Sequence, residues 1–402
     1  MGQHLVIIGA GFAGMYAALA SARLRDASGK ASTDLEIKLV APEPTLVVRP
    51  RLYEPSPETL TAPLDAVLQA VGVEYVKGRV EDIDITKRTI EFDDGGRRGR
   101  LDYDRAILAA GSRLFRPPVP GLDAFAFSVD QLDDAVALDK HLHSLAARPD
   151  TPARNTVVVA GGGFTGIEVA TEMPARLRPI LGIGADIRVV IVDRAASVGS
   201  DMGSGPRPLI ESALRTLGVE AVTGVGVAAI TADGVSLSNG ERIGAATVIW
   251  SAGMRANPLT ALIPGDRDNF GRLMVDGDLR VPGAPGLFAA GDVAKAATDD
   301  LGNTSLMSCQ HANRLGAAAG HNAAAELLGV PTEPYRQKNY VTCLDLGGAG
   351  ALFTRGWDRV VEMTGEKAKA TKVEINTKWI YPPAADRASA FAAADWARLV
   401  DY

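Results

Sequence analysis

The sequence is poor in the residues that carry metal, thiol or nucleic-acid chemistry. Of its 402 residues only two are Cys and five are His, and their spacing matches none of the short motifs that bind zinc or catalyse thiol exchange. The formal net charge of −6 offers no basic surface to nucleic acid or to an anionic membrane. We therefore expect no metal and no nucleic-acid partner.

Long apolar runs are also missing. No stretch approaches the roughly 18 apolar residues that suggest a membrane-spanning helix. Residues 1–4 lead straight into an apolar strand, without the basic segment and cleavage site of a signal peptide. These features predict a cytoplasmic protein whose membrane contact is at most peripheral, at the inner face of the membrane.

Glycine, by contrast, is abundant. The chain has 43 Gly residues, whereas aromatic residues make up only 5% and apolar residues 47%. A chain of this length and apolar content can bury a large core and divide into two or three domains. Abundant Gly allows backbone to approach phosphates closely, so the composition favours an α/β nucleotide-binding protein.

The first glycine cluster follows an apolar run at residues 5–8. It consists of Gly9, Gly11, Phe12, Ala13 and Gly14. An Ala-rich stretch with helical spacing follows at residues 15–24. The pattern predicts a strand, a tight turn and a helix, with a pyrophosphate bound at the positive N-terminus of that helix.

The same pattern returns further along the chain. A β-branched run at residues 156–159 precedes a second glycine cluster, and residues 167–177 again have helical spacing. This cluster consists of Gly161, Gly163, Thr165 and Gly166. Two copies are much stronger evidence than one, because each has the strand and the helix that a dinucleotide-binding turn requires.

The end of the next strand indicates which dinucleotide each copy binds. In the second copy the strand ends in Asp193, whose carboxylate would accept hydrogen bonds from the 2′-hydroxyl of NADH and repel a 2′-phosphate. Arg194 follows directly and could pair with a phosphate, which keeps NADPH open. In the first copy the strand ends at Ala41, and Glu43 is the nearest acidic residue.

Three further segments combine a strand with a turn. They are residues 103–111, which include Ala110 and Gly111, residues 248–253, which end in Gly253, and residues 287–292, which end in Gly291 and Asp292. In the last segment, Asp292 could hydrogen-bond a flavin ribityl hydroxyl, and a helix beginning at Ser305 would direct its positive end toward the flavin ring. A Gly-Asp pair after a strand is also a common ordinary turn.

Together these motifs resemble those of flavoproteins with two dinucleotide-binding domains, and among them the type II NADH:quinone oxidoreductases. The resemblance covers nearly the whole chain. It implies that the first glycine cluster holds FAD, that the second holds NADH, and that Gly291 and Asp292 form a second FAD motif. The implied fold class is α/β, with two Rossmann-like dinucleotide-binding domains and a C-terminal α+β interface domain.

The implied FAD-binding domain is discontinuous. It takes residues 1–115 and 265–328, with the NAD(P)H-binding domain at 116–264 between them and the interface or acceptor domain at 329–402. The discontinuity is expected because Gly291 and Asp292 must come back to the flavin. Pro-containing stretches at 117–118 and 264–265 are the predicted crossing points.

Finer matches indicate the quinone-reductase branch. Residues 49–54, which begin with Arg49, look like the family's loop near the flavin, and residues 250–258, which include Gly253, look like its Trp-x-x-Gly segment. Gln310 lies where the family carries an Ala-Gln pair beside the quinone. Glu168 matches a family glutamate between nicotinamide and flavin, where it would orient the nicotinamide or relay protons.

The resemblance implies that NADH gives a hydride to FAD and that reduced FAD passes two electrons to a quinone-like acceptor. Residues 377–383 could form an apolar slot for the acceptor, with Lys378 neutralising developing negative charge. The alternative is that Trp379 and Tyr381 only pack the C-terminal segment onto the FAD domain. The predicted catalytic residues are Glu168, Gln310 and Lys378.

The C-terminus departs from the membrane-bound members, which end in amphipathic helices rich in aromatic and basic residues. Residues 384–402 are Ala-rich and nearly neutral. Four apolar residues could share one helical face, namely Phe391, Trp396, Leu399 and Val400. Without basic flanks, this face favours docking onto the protein's own body or onto a second subunit of a homodimer.

Other acceptors and another function remain open. Sulfide oxidation is not among them, because it needs paired cysteines at the flavin. Cys343 lies near one such position, but its partner would have to come from earlier in the chain, and Cys309 belongs to a different segment. A small redox protein such as ferredoxin or rubredoxin would want a basic patch, and oxygen is a further acceptor. The candidate patch consists of Arg97, Arg98, Arg100 and Arg105. An NADH-sensing flavoprotein related to apoptosis-inducing factor is the alternative of another class.

Overall fold

Two large units of similar design are followed by a smaller α+β unit. The structure, a computed structural model, describes residues 2–395. The chain begins with β1 (Gln3–Ile8), α1 (Phe12–Ala27), β2 (Leu35–Ala41), β3 (Thr45–Val47), β4 (Thr61–Pro63), α2 (Asp65–Ala70), β5 (Glu74–Lys77), β6 (Arg79–Asp84), β7 (Thr89–Asp94), β8 (Arg97–Asp102), β9 (Arg105–Leu108) and β10 (Ser112–Leu114).

The second unit follows without a long irregular linker. It contains α3 (Leu122–Phe125), β11 (Ala126–Phe127), α4 (Leu132–Ser144), β12 (Thr156–Ala160), α5 (Phe164–Leu181), β13 (Arg188–Asp193), α6 (Arg207–Thr216), β14 (Val219–Thr223), β15 (Val227–Thr231), β16 (Gly234–Leu237), β17 (Arg242–Gly244), β18 (Thr247–Trp250) and β19 (Met254–Ala256).

The rest of the chain returns to the first unit and then forms the small one. It contains β20 (Leu273–Met274), β21 (Leu287–Ala289), β22 (Ala294–Lys295), α7 (Cys309–Leu328), β23 (Val341–Asp345), β24 (Ala351–Arg355), β25 (Val360–Thr364), α8 (Gly365–Glu374), a π-helix (Ile375–Trp379) and α9 (Arg387–Ala393).

Each large unit centres on a parallel sheet, and the two sheets have matching strand orders. The first is β21-β9-β1-β2-β5 and the second is β11-β18-β12-β13-β14. The apolar residues of β1 and β12 are buried, which explains why these strands appear as continuous apolar runs. A three-stranded antiparallel sheet precedes β9 in the first unit and β18 in the second. The predicted pair of Rossmann-like sheets is confirmed.

The second unit is inserted into the first. β10 pairs antiparallel with β19, on which the chain returns, so that Ser112 lies opposite Ala256. β21 then completes the first sheet in parallel with β9. The first sheet therefore contains strands from both sides of the insertion, and the turn after β21 lies beside the first glycine cluster. The residue boundaries given for the domains stay a prediction.

The first unit depends on a very close approach of α1 and α7. A Cβ atom on Gly316 would lie 2.1 Å from the carbonyl oxygen of Ala13, and one on Gly320 would lie 2.2 Å from that of Ala17. The Ser21 hydroxyl donates a hydrogen bond to the Gly320 carbonyl oxygen at 2.9 Å. Only residues without a Cβ allow the two helix backbones to pack in this way.

α7 begins later than the predicted start at Ser305. Ser308 is its N-cap residue, and the Ser308 hydroxyl accepts a hydrogen bond from the backbone N–H of His311 at 3.3 Å. Ser305 is buried before the helix, where its hydroxyl accepts a hydrogen bond from the backbone N–H of Ala296 at 3.1 Å. By residue type, either serine could cap the helix. Ser305 is instead engaged in a tertiary contact with Ala296, so Ser308 is the residue that caps α7.

The small unit is an antiparallel sheet of β23, β24 and β25 covered by α8. Ala368 of α8 is buried against Cys343 and Phe353 of the sheet. This arrangement agrees with the predicted C-terminal α+β domain. Its position beside α5 brings residues of α8 to the second large unit.

α9 packs on the first large unit. Phe391 contacts the core of that unit, and Arg23 of α1 pairs with Asp395 at 2.9 Å. The other members of the predicted helical face, Trp396, Leu399 and Val400, lie outside the described residues. Within residues 2–395, none of the helices combines the length and the apolar composition needed to cross a bilayer.

We expect Gly316→Ala to destabilise the protein and to lower its flavin content. The new methyl group would overlap the α1 backbone at Ala13, and overpacking of this kind costs about 1–3 kcal/mol. The apparent unfolding temperature and the flavin absorbance of the purified protein measure both effects. Gly277→Ala is the matched control, because a Cβ there meets nothing within 4 Å. Equal stability of the two variants would contradict the proposed role of the α1–α7 contact.

Candidate active site

The two glycine clusters have the same backbone geometry. Gly9 has a φ of +112° and Gly161 a φ of +118°, values that residues with a side chain rarely adopt. A Cβ on Gly14 would lie 1.8 Å from the Gly9 carbonyl oxygen, and one on Gly166 would lie 1.8 Å from that of Gly161. In each unit the last glycine therefore lets the helix pack directly against the turn that follows the strand.

The middle glycine of each cluster faces open space. A Cβ on Gly11 would meet nothing within 4 Å, and one on Gly163 would meet only Asp201 Oδ2 at 3.9 Å. Both are N-cap residues, of α1 and α5, and no side chain caps either helix. The backbone N–H groups and the positive helix ends suit a pyrophosphate at each place.

Both helix ends open into one cleft with a volume of about 1630 Å³. This volume exceeds the ~300–1,000 Å³ typical of pockets for one small ligand, so it suits two dinucleotides. The predicted site residues that line the cleft are Gly9, Gly11, Phe12, Ala13, Glu43, Arg49, Ala110, Gly111, Gly163, Thr165, Glu168, Gly291, Asp292 and Gln310. The predicted residues that do not line it are Gly14, Gly161, Gly166, Asp193, Gly253 and Lys378.

Asp292 is held over the first glycine cluster by the turn after β21. Gly291 has a φ of +72°, and a Cβ on it would lie 2.8 Å from the Cβ of Ala13. The turn therefore sits directly on the first turn of α1. Asp292 accepts a hydrogen bond from the Ser112 hydroxyl at 2.6 Å. A carboxylate in this position fits a ligand hydroxyl such as those of a flavin ribityl chain.

Arg49 connects the first large unit to the second. Its Nη2 lies 2.5 Å from Asp130 Oδ1, and its Nε donates to the Asp130 carbonyl oxygen at 3.0 Å. Its Nη1 donates to the Ser112 hydroxyl at 3.2 Å and lies 3.6 Å from Asp292 Oδ2. Arg49 thus orients the polar groups beside the predicted flavin site.

The remaining predicted residues of the first unit lie around the same part of the cleft. Glu43 is exposed at the rim after β2 and pairs with Lys77 at 3.5 Å. Gly111 has a φ of +70°. The Ala110 carbonyl oxygen accepts a hydrogen bond from Asn257 Nδ2 at 3.1 Å. This bond links the turn after β9 to the segment on which the chain returns from the inserted unit.

Gly253 follows β18 but does not face the cleft. Its φ is +80°, and a Cβ on it would lie 3.5 Å from the Cβ of Phe115. Trp250 and Ser251 line the cleft in its place. The Trp250 Nε1 donates to the carbonyl oxygens of Phe115 and Ala252 at 3.1 and 3.0 Å. The turn therefore positions Trp250, and Gly253 itself lies off the cleft surface.

Asp193 ends β13, as predicted, next to the second glycine cluster. Its carboxylate accepts hydrogen bonds from the backbone N–H of Gly162 and, at 2.7 Å, from that of Ala195. In this fold an acidic residue at the end of the second strand lies beside the adenosine ribose. The position fits the role predicted for Asp193, although its side chain lies just off the cleft surface.

A buried ion pair lies where α5 and α8 meet the cleft. Glu168 is 4% exposed and Lys372 is 5% exposed, and Lys372 Nζ lies 2.8 Å from Glu168 Oε1. The same oxygen accepts a hydrogen bond from the backbone N–H of Asp345 at 3.1 Å. Asp345 pairs with Lys369 at 2.5 Å and accepts a hydrogen bond from the Tyr53 hydroxyl at 3.1 Å. The network joins all three units.

The pair has unusual protonation properties. Burial raises the pKa of Glu168 to about 7, and Lys372 opposes part of this rise. Burial alone would lower the pKa of Lys372, but Glu168 raises it above its ordinary value. Lys372 therefore stays protonated, whereas Glu168 gains or loses its charge near neutral pH. Such a pair can hold and return a proton at the cleft surface.

Lys372, and not the predicted Lys378, is the lysine of the cleft. Lys378 is exposed and lies 3.8 Å from Glu374 at the protein surface. Lys372 belongs to α8 and is buried, whereas Lys378 belongs to the following π-helix and is exposed, so the two lysines project in different directions. One signal was available, because Lys372 lies shortly before the predicted slot at residues 377–383, but nothing in the sequence connects this residue to Glu168.

Gln310 lies in the first turn of α7 and lines the cleft, and its predicted place beside an acceptor stays a prediction. Its side-chain oxygen accepts a hydrogen bond from the backbone N–H of Val341 at 3.4 Å. The side chain therefore bridges α7 and the small unit. The positive end of α7 faces the same space and favours negative charge there.

The two cysteines line the same cleft, although they come from different segments. Burial raises the pKa of Cys309 to about 11 and that of Cys343 to about 12. Both thiols therefore stay protonated at neutral pH, which makes them poor nucleophiles. Within the described part of the chain, no group of His, Cys, Asp and Glu side chains is arranged to hold a metal ion.

The segment after α8 has two distinct roles. Ile375, Trp379 and Ile380 line the cleft beside Lys372 and form an apolar wall. Tyr381 instead accepts a hydrogen bond from Arg51 Nη1 at 2.9 Å. Apolar residues at the cleft and a packing contact thus both occur in this segment, at different residues, and the use of the apolar wall by an acceptor stays a prediction.

We expect Lys372→Met to make stability depend strongly on pH. Without the ammonium group the pKa of Glu168 rises beyond about 7, so the folded protein holds a proton that the unfolded chain releases. Stability then falls as the pH rises from the ordinary carboxyl pKa through this higher value. Apparent unfolding temperatures at about pH 6 and about pH 9 measure the fall.

The double variant Glu168→Gln with Lys372→Met provides the control. It has no titrating group at this place, so the additional pH dependence should disappear. If Lys372→Met loses the same stability at both pH values, the raised pKa of Glu168 is not the cause.

Known proteins match both the sequence and the fold. The sequence model of the pyridine nucleotide-disulphide oxidoreductase family matches residues 3–316. An NADH dehydrogenase-like protein of Mycobacterium tuberculosis is 47% identical over 394 residues, which are 97% of this chain and 98% of that protein. A type II NADH:quinone oxidoreductase of the same organism is 30% identical over 320 residues, which are 73% of this chain and 67% of that protein.

A solved structure shares the fold at lower identity. The sulfide:quinone oxidoreductase of Aquifex aeolicus matches with a TM-score of 0.78 and 19% identity, over 98% of this chain and 92% of that chain. The family supports a flavin and a nicotinamide dinucleotide as cofactors, and the two glycine turns fit both. Because the family model spans most of the sequence, the chain belongs to the pyridine nucleotide-disulphide oxidoreductase family.

Proposed function

We propose that the protein is an FAD-dependent NADH oxidoreductase with a quinone-like acceptor. One observation carries the proposal: the buried Glu168–Lys372 pair lies beside an apolar wall in the cleft that both glycine turns share. A quinone needs an apolar surface for its ring and protons for its oxygens, and this end of the cleft offers both.

The residues of the cleft can position two dinucleotides against each other. The N-termini of α1 and α5 each offer uncapped N–H groups to a pyrophosphate. Bound flavin would accept a hydride from NADH and pass on two electrons. The first turn of α7, with Gln310, presents its positive end to the cleft and stabilises negative charge there.

Glu168 and Lys372 can supply protons to the acceptor. Reduction of a quinone to a quinol consumes two protons. Lys372 Nζ can stabilise negative charge on an acceptor oxygen and donate a proton, and Glu168 Oε1 at 2.8 Å can return one. A pKa of about 7 for Glu168 makes this exchange easy at neutral pH. Lys369, whose side chain is 33% exposed, connects the network toward solvent through Asp345.

The geometry favours a quinone over the other acceptors. Sulfur chemistry would need a reactive thiolate, whereas the pKa values of both cysteines are raised. The basic patch proposed for a small redox protein is partly neutralised, because Arg100 pairs with Asp102 at 2.9 Å and Arg105 pairs with Glu326. An enzyme and an NADH sensor differ in how long the flavin stays reduced after its reaction with NADH. Kinetic measurements can determine this lifetime.

We expect NADH to reduce the bound flavin rapidly and a soluble short-chain quinone to reoxidise it rapidly. Anaerobic stopped-flow absorbance measures the two steps separately. Lys372→Met should slow reoxidation by about 100-fold, in the range of general acid catalysis, and should change reduction by NADH much less. Lys378→Met is the matched variant, and its exposed side chain should leave both rates unchanged.

Each unfavourable result has a definite meaning. A preparation without flavin would refute the central proposal. Fast reduction followed by a long-lived charge-transfer band in the presence of quinone would favour a sensor or another acceptor. If Lys378→Met slowed reoxidation of the flavin more than Lys372→Met did, then Lys378, and not Lys372, would be the residue that acts on the acceptor.

We expect NADH to be preferred over NADPH because of Asp193. Its carboxylate beside the adenosine ribose would repel a 2′-phosphate. Asp193→Ser should therefore raise the ratio of kcat/KM for NADPH to kcat/KM for NADH by about tenfold or more. Asp186→Ser, at an exposed acidic residue just before β13, is the control and should leave the ratio unchanged. An unchanged ratio in Asp193→Ser would place the specificity elsewhere.

A further inference from the structure

Arg359 brings a positive charge from the small unit to the side of the cleft that the second glycine cluster occupies. It lies in the turn between β24 and β25 and lines the cleft together with Gly163 and Thr165. Its backbone N–H donates to the Gly356 carbonyl oxygen at 3.1 Å. The short hairpin fixes where the side chain starts.

The contacts of the guanidinium fix where the side chain ends. Arg359 Nη1 lies 3.4 Å from Met202 Sδ, and Arg359 Cζ lies 5.5 Å from the centroid of the Tyr340 ring. Tyr340 is itself stacked on Trp357, with ring centroids 4.6 Å apart. Nη1 donates a hydrogen bond to the Met202 sulfur, and the Tyr340 side chain takes a further hydrogen bond from the guanidinium. These contacts orient the group, and its five N–H donors exceed the two contacts.

The turn that contains Met202 belongs to the second glycine cluster. The backbone N–H of Gly199 donates to the Gly162 carbonyl oxygen at 2.8 Å, and Met202 N–H donates to the Gly199 carbonyl oxygen at 2.9 Å. Arg359 is therefore held against the same backbone that surrounds the N-terminus of α5. The small unit thus contributes a cation to the predicted NADH site.

Arg359 has no ion-pair partner within residues 2–395, so no carboxylate offsets its charge at close range. The charged groups nearby are Asp358, its exposed neighbour, and Asp201, whose Oδ2 lies 3.9 Å from a Cβ built on Gly163. Asp201 can accept hydrogen bonds from ribose hydroxyls, whereas only Arg359 can donate to a phosphate. The two side chains therefore complement different parts of a dinucleotide.

The backbone at Arg359 supports a role for the side chain. Its φ is +52°, in the left-handed region where a non-glycine residue is strained by about 1–2 kcal/mol. Gly or Asn would fit this turn more easily. A long cationic side chain at this place has a structural cost, and its approach to the cleft provides a use for it.

We propose that Arg359 binds the pyrophosphate of the nicotinamide dinucleotide, opposite the N–H groups at the start of α5. This inference rests on the proposed function for the identity of the ligand. Arg is suited to the task because its planar fork of donors can bind two phosphate oxygens at once. The site is then complete only when the small unit is folded against the second large unit.

The test uses the purified flavin-loaded protein and direct binding measurements. ADP-ribose contains the pyrophosphate but no nicotinamide, and its Kd is measured by isothermal titration calorimetry. Arg359→Gln should weaken ADP-ribose binding by about 10- to 100-fold, as expected for loss of charge-assisted hydrogen bonds. Arg359→Lys should retain part of the affinity, and added salt should weaken binding more in the wild type than in Arg359→Gln.

Two comparisons make the result specific. Arg355→Gln removes a charge from the same hairpin, where Arg355 pairs with Glu362 at 2.7 Å away from the cleft, and should leave the Kd unchanged. Dihydronicotinamide riboside lacks the pyrophosphate, so it should reduce the flavin of the wild type and of Arg359→Gln at the same second-order rate. With NADH, the variant should show a higher KM at a similar kcat.

Three outcomes would overturn the inference. One is an unchanged Kd for ADP-ribose in Arg359→Gln. Another is an equal loss of rate with dihydronicotinamide riboside, which would assign Arg359 to the nicotinamide or to folding. The third is a loss with NADPH alone, which would assign it to a 2′-phosphate. Slow reoxidation of the flavin by quinone would contradict the proposed acceptor. It would not change the interpretation of the measurements with ADP-ribose, dihydronicotinamide riboside and NADPH.

Discussion

The buried pair of Glu168 and Lys372 is the interaction on which the arrangement of the site depends. Removing one partner of such a pair typically costs about 3–5 kcal/mol, because the other is left as a buried, uncompensated charge. The carboxylate belongs to α5 and the ammonium to α8, and Asp345 of β23 donates its backbone N–H to the same oxygen. The small unit is therefore fixed against the second large unit at the cleft, where the wall beside Lys372 is formed.

A second constraint is that glycine occupies a few positions where two backbone segments touch each other. Gly14 and Gly166 allow each helix to touch its preceding turn, and Gly316 and Gly320 allow α7 to touch α1. Because α7 also carries Gln310, its close packing on α1 sets the distance between the first glycine cluster and Gln310. Backbone geometry therefore determines ligand geometry here more directly than side-chain packing does.

The fold was largely predictable because its signals are local. Each glycine cluster lies next to its strand and helix, and the two copies support each other, so both parallel sheets and the position of Asp193 followed from short segments. The acceptor end was less predictable because it depends on contacts between distant segments. Glu168 was found through resemblance, but its partner lies 204 residues away, and Lys378 in the same stretch of chain has the same chemistry. The two lysines differ in the side of the helical segment from which they project, and only Lys372 projects toward the cleft.

The small unit contributes two cations to the cleft, Lys372 beside the apolar wall and Arg359 against the turn that contains Met202. Both lie beyond residue 316, where the match to the family model ends. The shared part of the chain builds the two glycine turns, whereas the last part supplies the two charges that we propose act on acceptor and donor. Differences in acceptor among related proteins can therefore arise in this unit without any change to the nucleotide-binding sheets. Since one folded unit carries both cations, the Glu168–Lys372 pair that holds this unit against α5 fixes the position of Arg359 as well as that of the apolar wall.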